Sequence, residues 1–195
     1  VIADPPARMA TVDHDSLTHE ARLFLDRWTG GIFKDADANP VLLTLAHHPQ
    51  LGDLFSQFNI HILASNTLPV KLRQIAIMRT AWICKATYMW SSHLNTSVLS
   101  GLSPEMYEPI KIGANDPYFD ELERGVIRAT EELVNDKKIG SENWAILSTE
   151  LSDKQMLDFI FTVGCYVLLA GFMRSAQVER PPDLVALAKI YGQPE

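Results

Sequence analysis

Apolar positions recur along this chain at three- and four-residue spacing, and nowhere do they alternate with period two for long enough to make a strand. Helical spacing begins at Ser16, with Leu17, Ala21, Phe24, Leu25 and Trp28 on one stripe, and Gly30-Gly31 is expected to end that helix. Pro40 opens a short apolar segment, VLLTLAHH, which Pro49 is expected to stop. A third helix is predicted from about Gln50 to Ala64, with Leu51, Leu54, Phe55, Phe58 and Ile62 as its stripe. A fourth starts at Leu68-Pro69, with Thr67 or Asn66 as cap and Pro69 in the first turn. It carries Leu72, Ile75, Ala76, Arg79, Trp82 and Ile83 on one face and meets a joint at Cys84-Lys85. The fifth runs from Ala86 to Ser100, and Gly101 supplies its left-handed terminus. These last two helices, Leu68 to Gly101, form the pair around which the rest is expected to pack.

Further along, Ser103-Pro104-Glu105 reads as the cap, first position and acidic first turn of a sixth helix. Asp116-Pro117 opens a long amphipathic helix, Tyr118 to about Asn135, with Phe119, Leu122, Val126, Ala129 and Leu133 on one face. Ser141 caps a helix holding Trp144 and Leu147. Ser152 caps the last long one, from Asp153 to about Ser175, and one more short helix is expected in the tail. The fold class is all-α: an N-terminal arm over 1–15, one helical domain over 16–180 and a C-terminal tail over 181–195.

Hydrophobic residues make up 47% of the 195 positions, enough for a sizeable core. Lys and Arg number 17 against 24 Asp and Glu, a net charge of −7 with no basic run. That balance argues against nucleic acid or an acidic membrane surface as partner, since phosphate binding needs a basic stripe. Two isolated cysteines, Cys84 and Cys165, make no disulfide framework, so a reducing, cytoplasmic setting is expected. The first residues do not read as a signal peptide. The longest apolar region, Phe159 to Met173, is interrupted by Thr162, Gly164 and Gly171. It is shorter than the ~18–20 residues a bilayer span needs, so a buried helix is expected.

One face of the fifth helix could carry chemistry. Ala86, Met89 and His93 follow at offsets of three and four and stack on one side, flanked by Tyr88 and Trp90. Burial on such a wall lowers an imidazole's pKa and keeps it neutral near pH 7; the alternative is a core histidine bonded to a backbone carbonyl. Arg79, inside IAIMRTAWI, and Arg174, ending YVLLAGFMR, each need an anion. A substrate carboxylate would serve, as would an internal one such as Asp158 or Glu131. Arg73, closer to a helix start, is expected to be solvated. His61 lies three residues after Phe58 and could face the same cavity, although a surface position fits it as well. His47-His48 point apart, and Asp13-His14-Asp15 sits in the arm. With no HExxH, CxxC pair, P-loop or GxGxxG, neither metal nor other cofactor is expected.

The stretch LPVKLRQIAIMRTAWICKATYMWSSHLNTSVLSGLSPE resembles the carboxymuconolactone decarboxylase-like branch of the alkylhydroperoxidase D-like (AhpD-like) superfamily. The matching residues are Leu68-Pro69, Ile77-Met78-Arg79 with Ala81-Trp82, Tyr88, Trp90 and His93, and Gly101-Leu102-Ser103. TLAHHPQL at 44–51, ERGVIRATEEL at 123–133 and FTVGCYVLL at 161–169 extend the match. The resemblance implies an AhpD-like helical bundle that assembles as a homo-oligomer (dimer, trimer or hexamer), with a cavity beside the histidine helix. Peroxidase members carry cysteines seven and four residues before that histidine, where this chain has Ala86 and Met89. Without a thiolate there, a thiol-peroxidase cycle has no nucleophile. Members lacking the cysteines commonly place Glu nearby, at positions held here by Gln74, Thr87 and Met89.

The expected function is that of a cofactor-independent lyase (decarboxylase) or isomerase, acting on a small, largely apolar carboxylate or lactone. His93 would be its acid/base, Tyr88 a hydrogen-bond donor, and Arg79 or Arg174 the carboxylate partner. Trp90, Met89, Ala86, Phe58, His61 and Tyr166 would line the substrate site. A non-catalytic binding or scaffold protein is the alternative, and an antioxidant thiol peroxidase ranks last.

Overall fold

The computed structural model describes residues 5–29 and 38–194. Among the described residues there is no strand, and ten α-helices carry the fold. The chain divides into two compact units. One comprises Asn66–Phe172 with Pro182–Glu195; the other comprises Ile2–Ser65 with Met173–Pro181.

The second of these units opens with residues whose backbone is tied down: the Arg8 and Met9 N–H groups donate to the Ala176 carbonyl at 3.0 and 3.1 Å. Helix α1 (His19–Trp28) is capped by Thr18, whose hydroxyl accepts the Ala21 N–H at 3.1 Å, and it buries Ala21, Phe24 and Leu25. It stops at Thr29; the expected terminator Gly30-Gly31 lies outside the described residues. Helix α2 (Pro40–Leu45) is capped by Asn39. Pro49 does not stop that segment but opens α3 (Pro49–Ile60), where its missing N–H costs nothing at the first position and His48 caps the turn.

The expected stripe on α3 mostly faces outward, with Leu51 52% and Leu54 68% exposed. The buried face is Gly52, Ser56 and Asn59. The reason is local: a Cβ at Gly52 would stand 2.8 Å from Phe24 Cζ, so α1 and α3 approach through the one residue without a side chain. A single π-turn, His61–Ser65, follows and buries Ile62.

In the first unit, α4 (Val70–Ile83) is buried almost all round, with Leu72, Gln74, Ile75, Ala76, Ile77, Met78, Thr80 and Ala81 inside. It packs chiefly on α7 (Glu121–Asp136) and also on α5 (Thr87–Ser97) and α6 (Tyr107–Ile112). Its cap is Pro69, not Thr67 or Asn66. Those two tie the approach instead: the Thr67 N–H and hydroxyl both donate to Asp158 at 2.6 Å, and Asn66 donates to Thr162 at 3.0 Å. The joint at Cys84-Lys85 is present, with Lys85 at φ 54°. Helix α5 ends in a 3₁₀ turn and Gly101 at φ 78°. Helix α7 starts later than the Asp116-Pro117 signal suggested, because Asp120 and Glu123 form a reciprocal capping box there.

Helix α8 (Ser141–Glu150) precedes α9 (Asp153–Ala176), and α10 (Pro182–Tyr191) is the short tail helix. At 24 residues α9 outruns its apolar stretch, so the expectation of a segment too short to span a bilayer is corrected. By length and composition it could cross a membrane, yet 56% of its most apolar window is buried in the fold. Its outward stripe carries Leu157, Phe161 and Leu168, each more than half exposed.

Candidate functional site

His93 lies on the second half of α5, one turn beyond Met89, and α4 and α9 supply its neighbours. Gln74 of α4, only 3% exposed, reaches across: its side-chain Nε2 is 3.1 Å from His93 Nδ1 and 3.5 Å from the His93 carbonyl oxygen. Tyr166 of α9 meets the imidazole edge-on, with ring centroids 5.1 Å apart at 71°. Protein packs closely round the ring, while the residue keeps some accessible surface. Burial, reinforced by the positive charge of Arg73, pulls the His93 pKa down to about 4. The imidazole is therefore neutral at pH 7, as the apolar wall implied.

Arg73 precedes Gln74 on α4 and was expected to be solvated. It is instead partly buried, and burial lowers its pKa against the opposing pull of Tyr166 and Asp158. Asp158 itself accepts both Thr67 donors. Among the described residues Arg73 makes no ion pair or side-chain hydrogen bond. A guanidinium stays charged, so this one carries donors available to an anion.

Arg79, the cation favoured by the sequence, is committed inside the fold. Its Nε donates to Glu131 at 2.9 Å and a second nitrogen sits 2.6 Å from the same carboxylate. Nη1 donates to the Ile110 and Lys111 carbonyls at 2.8 and 2.6 Å, satisfying the C-terminus of α6. Gly113 at φ 99° makes room: a Cβ there would fall 2.5 Å from Arg79 Nη2. Of the anions weighed for Arg79, the internal Glu131 is the one it meets.

The remaining expected site residues fall into two groups. Tyr88, Met89, Trp90 and Ala86 are all buried with α5. Trp90 donates to the Gly192 carbonyl at 3.0 Å and packs edge-on against Trp82 and Tyr107, so its indole joins α5 to the residues after α10. Burial, and then the charge of Asp183, push the Tyr88 phenol's pKa well up, which keeps it a neutral hydroxyl. Phe58, His61 and Arg174 belong to the other compact unit, and all three are exposed.

Sequence reasoning passed over Arg73 as a contact of the site. Its one sequence signal was its place beside Gln74, in the stretch of α4 that the fold buries. Two clefts of about 630 and 650 Å³ lie elsewhere: one along α7 and α8, lined by Asp120, Leu122, Ile146 and Glu150, the other lined by residues between Thr11 and Gln50. No group of three or more His, Cys, Asp or Glu among the described residues could hold a metal.

No protein-family model matches the chain, and no curated protein matches it by sequence. Solved structures do. The alkylhydroperoxidase AhpD core of an uncharacterized peroxidase-related protein from Ralstonia eutropha JMP134 superposes with TM-score 0.76 at 14% identity, covering 99% of this chain and 100% of that one. The debrominase Bmp8, as a cysteine-to-alanine variant in complex with 2,3,4-tribromopyrrole, gives TM-score 0.73 at 12% identity over 97% of this chain and 100% of that one. A protein of unknown function from Agrobacterium tumefaciens, described as a putative antioxidant defence protein AhpD, gives 0.64 at 14% identity over 70% and 94%. At these identities the likeness establishes the fold: this chain has the all-α AhpD-like architecture.

Proposed function

We propose that this protein is a cofactor-independent lyase, a decarboxylase in preference to an isomerase, acting on a small apolar carboxylate or lactone at His93 and Arg73. The observation that carries the reading is the pairing of a neutral, part-buried imidazole with a partly buried guanidinium that has no ion-pair partner among the described residues. Loss of carbon dioxide breaks a carbon–carbon bond and leaves its electron pair delocalised onto a substrate carbonyl oxygen as an enolate, which solvent water then protonates at carbon. A fixed cation and a neutral N–H donor stabilise that developing charge more than they stabilise the neutral carbonyl. Arg73 takes the carboxylate role first assigned to Arg79 or Arg174, and Tyr166 forms one wall against the ring. A thiol-peroxidase function has no support, because Ala86 and Met89 stand where a thiolate would be needed.

Incubation with a panel of β-keto carboxylates and of unsaturated lactones that carry a carboxylate tests this, read by proton NMR and carbon dioxide release. Turnover is expected for at least one compound, falling at least 100-fold in Arg73→Leu and in His93→Gln. Compounds that raise the melting temperature but are never converted would favour a binding protein instead. Homo-oligomerisation belongs to the same proposal. Leu157, Phe161, Gly164, Leu168 and Gly171 follow one another on α9 at alternating spacings of four and three. Laid antiparallel on a second copy, Phe161 faces Gly171 and Leu168 faces Gly164, large against small. Light scattering that returns a monomer at micromolar concentration refutes this part.

A further inference from the structure

We propose that Gln74 locks His93 in the tautomer with its proton on Nε2, so that the site presents only hydrogen-bond donors and selects an acceptor oxygen, a carboxylate or an enolate. This rests on the reading of the His93–Arg73 site given above and goes further, because it fixes the direction in which the imidazole can act.

Gln74 Nε2 faces two atoms of the same residue, the His93 ring nitrogen Nδ1 at 3.1 Å and the His93 carbonyl oxygen at 3.5 Å. A carbonyl oxygen can only accept. The group lying between them is thus the amide NH₂, and Nδ1 receives its proton as a lone pair. A neutral imidazole carries one N–H, which is then on Nε2. Nε2 has no hydrogen-bond partner among the described residues, and His93 as a whole is only partly buried.

The groups around the ring agree. From α4 come Gln74 and the cation Arg73, and from α9 comes the Tyr166 ring; the Asp158 carboxylate acts on Arg73 and is held by Thr67. Among the described residues no carboxylate bonds to the imidazole. Protonation of Nδ1 would set an N–H against the Gln74 NH₂, so the same contact opposes the imidazolium. Nε2–H and Arg73 are both donors, and neither can take a proton from carbon at neutral pH. A carboxylate at position 74 would reverse the polarity: it would draw a proton onto Nδ1 and leave Nε2 as a basic lone pair.

The test is long-range proton–nitrogen correlation spectroscopy on ligand-free, ¹⁵N-histidine-labelled protein at pH 7, with His93 assigned by its absence in His93→Gln. The expected spectrum has a pyrrole-type Nε2 and a pyridine-type Nδ1. In Gln74→Glu the two types exchange and the His93 pKa rises by more than one unit. In Gln74→Met, which keeps the volume and removes the donor, the Nε2–H excess falls toward that of a free histidine side chain, and a minor Nδ1–H form becomes detectable. A pyrrole-type Nδ1 in the wild type overturns the proposal, as does a Gln74→Met spectrum identical to it. The wild-type spectrum stands whether or not the variants fold. It also needs no substrate: a site that binds or turns over nothing can still show the Nε2 tautomer, and an active one can fail to.

Discussion

Replacing His93 with glutamine should remove a specific piece of the protein's pH dependence. The imidazole titrates near 6.5 in an unfolded chain and at about 4 in the folded one, because burial and Arg73 disfavour its charge. Between those values the unfolded state binds the extra proton and the folded state does not. Stability contributed by the neutral ring is complete above pH 6.5 and is lost as pH falls through that value toward 4. The gap converts to ~3 kcal/mol, a substantial share of the ~5–15 kcal/mol typical of a folded domain. Urea unfolding of the wild type and of His93→Gln at pH 7.5 and pH 4.0 measures it as a double difference, in which other titrating groups and the fixed cost of the substitution cancel. The wild type should lose about 2–3 kcal/mol more than the variant across that interval. Parallel losses would mean the ring titrates normally in the folded state, and the closely packed imidazole would go with them.

Other substitutions probe the frame around the site. Arg79→Met strands Glu131 and the α6 carbonyls and should cost about 2–4 kcal/mol in urea unfolding, discounted for the partial exposure of Glu131. Gly113→Ala combines a left-handed backbone with a Cβ overlapping Arg79, and at least ~2 kcal/mol of destabilisation is expected; a neutral result would show that the guanidinium is not fixed there. Asp120→Ala removes the capping box of α7 and should lower stability by ~1 kcal/mol, leaving the His93 tautomer unchanged in the nitrogen spectrum.

Helix periodicity carried much of the architecture because burial writes itself into spacing. The pair spanning Leu68 to Gly101, the joint at Lys85 and the left-handed Gly101 were all readable. What misled was chemistry decided across space. The α3 stripe of Leu51 and Leu54 has helical period but faces outward, since Gly52 is where α1 comes closest; period alone does not say which side a glycine opens. Thr67 looks like a cap and is instead a donor to Asp158, 91 residues further along the chain. Arg79 and Arg73 are indistinguishable as isolated letters, and only the positions of Glu131 and of two carbonyl oxygens make one structural and leave the other open. The histidine was legible from its apolar wall. Gln74 stood out only as a departure from a familiar pattern, and its contact with Nδ1 gives that departure a physical consequence.

Binding of a small carboxylate at Arg73 and His93 can be measured directly by titrating ¹⁵N-labelled protein with benzoate and following the His93 side-chain and Arg73 guanidinium resonances. Both should shift together with one affinity, Arg73→Leu should weaken that affinity at least tenfold, and Arg174→Gln, at an exposed position, should leave it unchanged. Equal affinity in wild type and Arg73→Leu, or shifts that bypass His93, would contradict the claim that these two donors form the site.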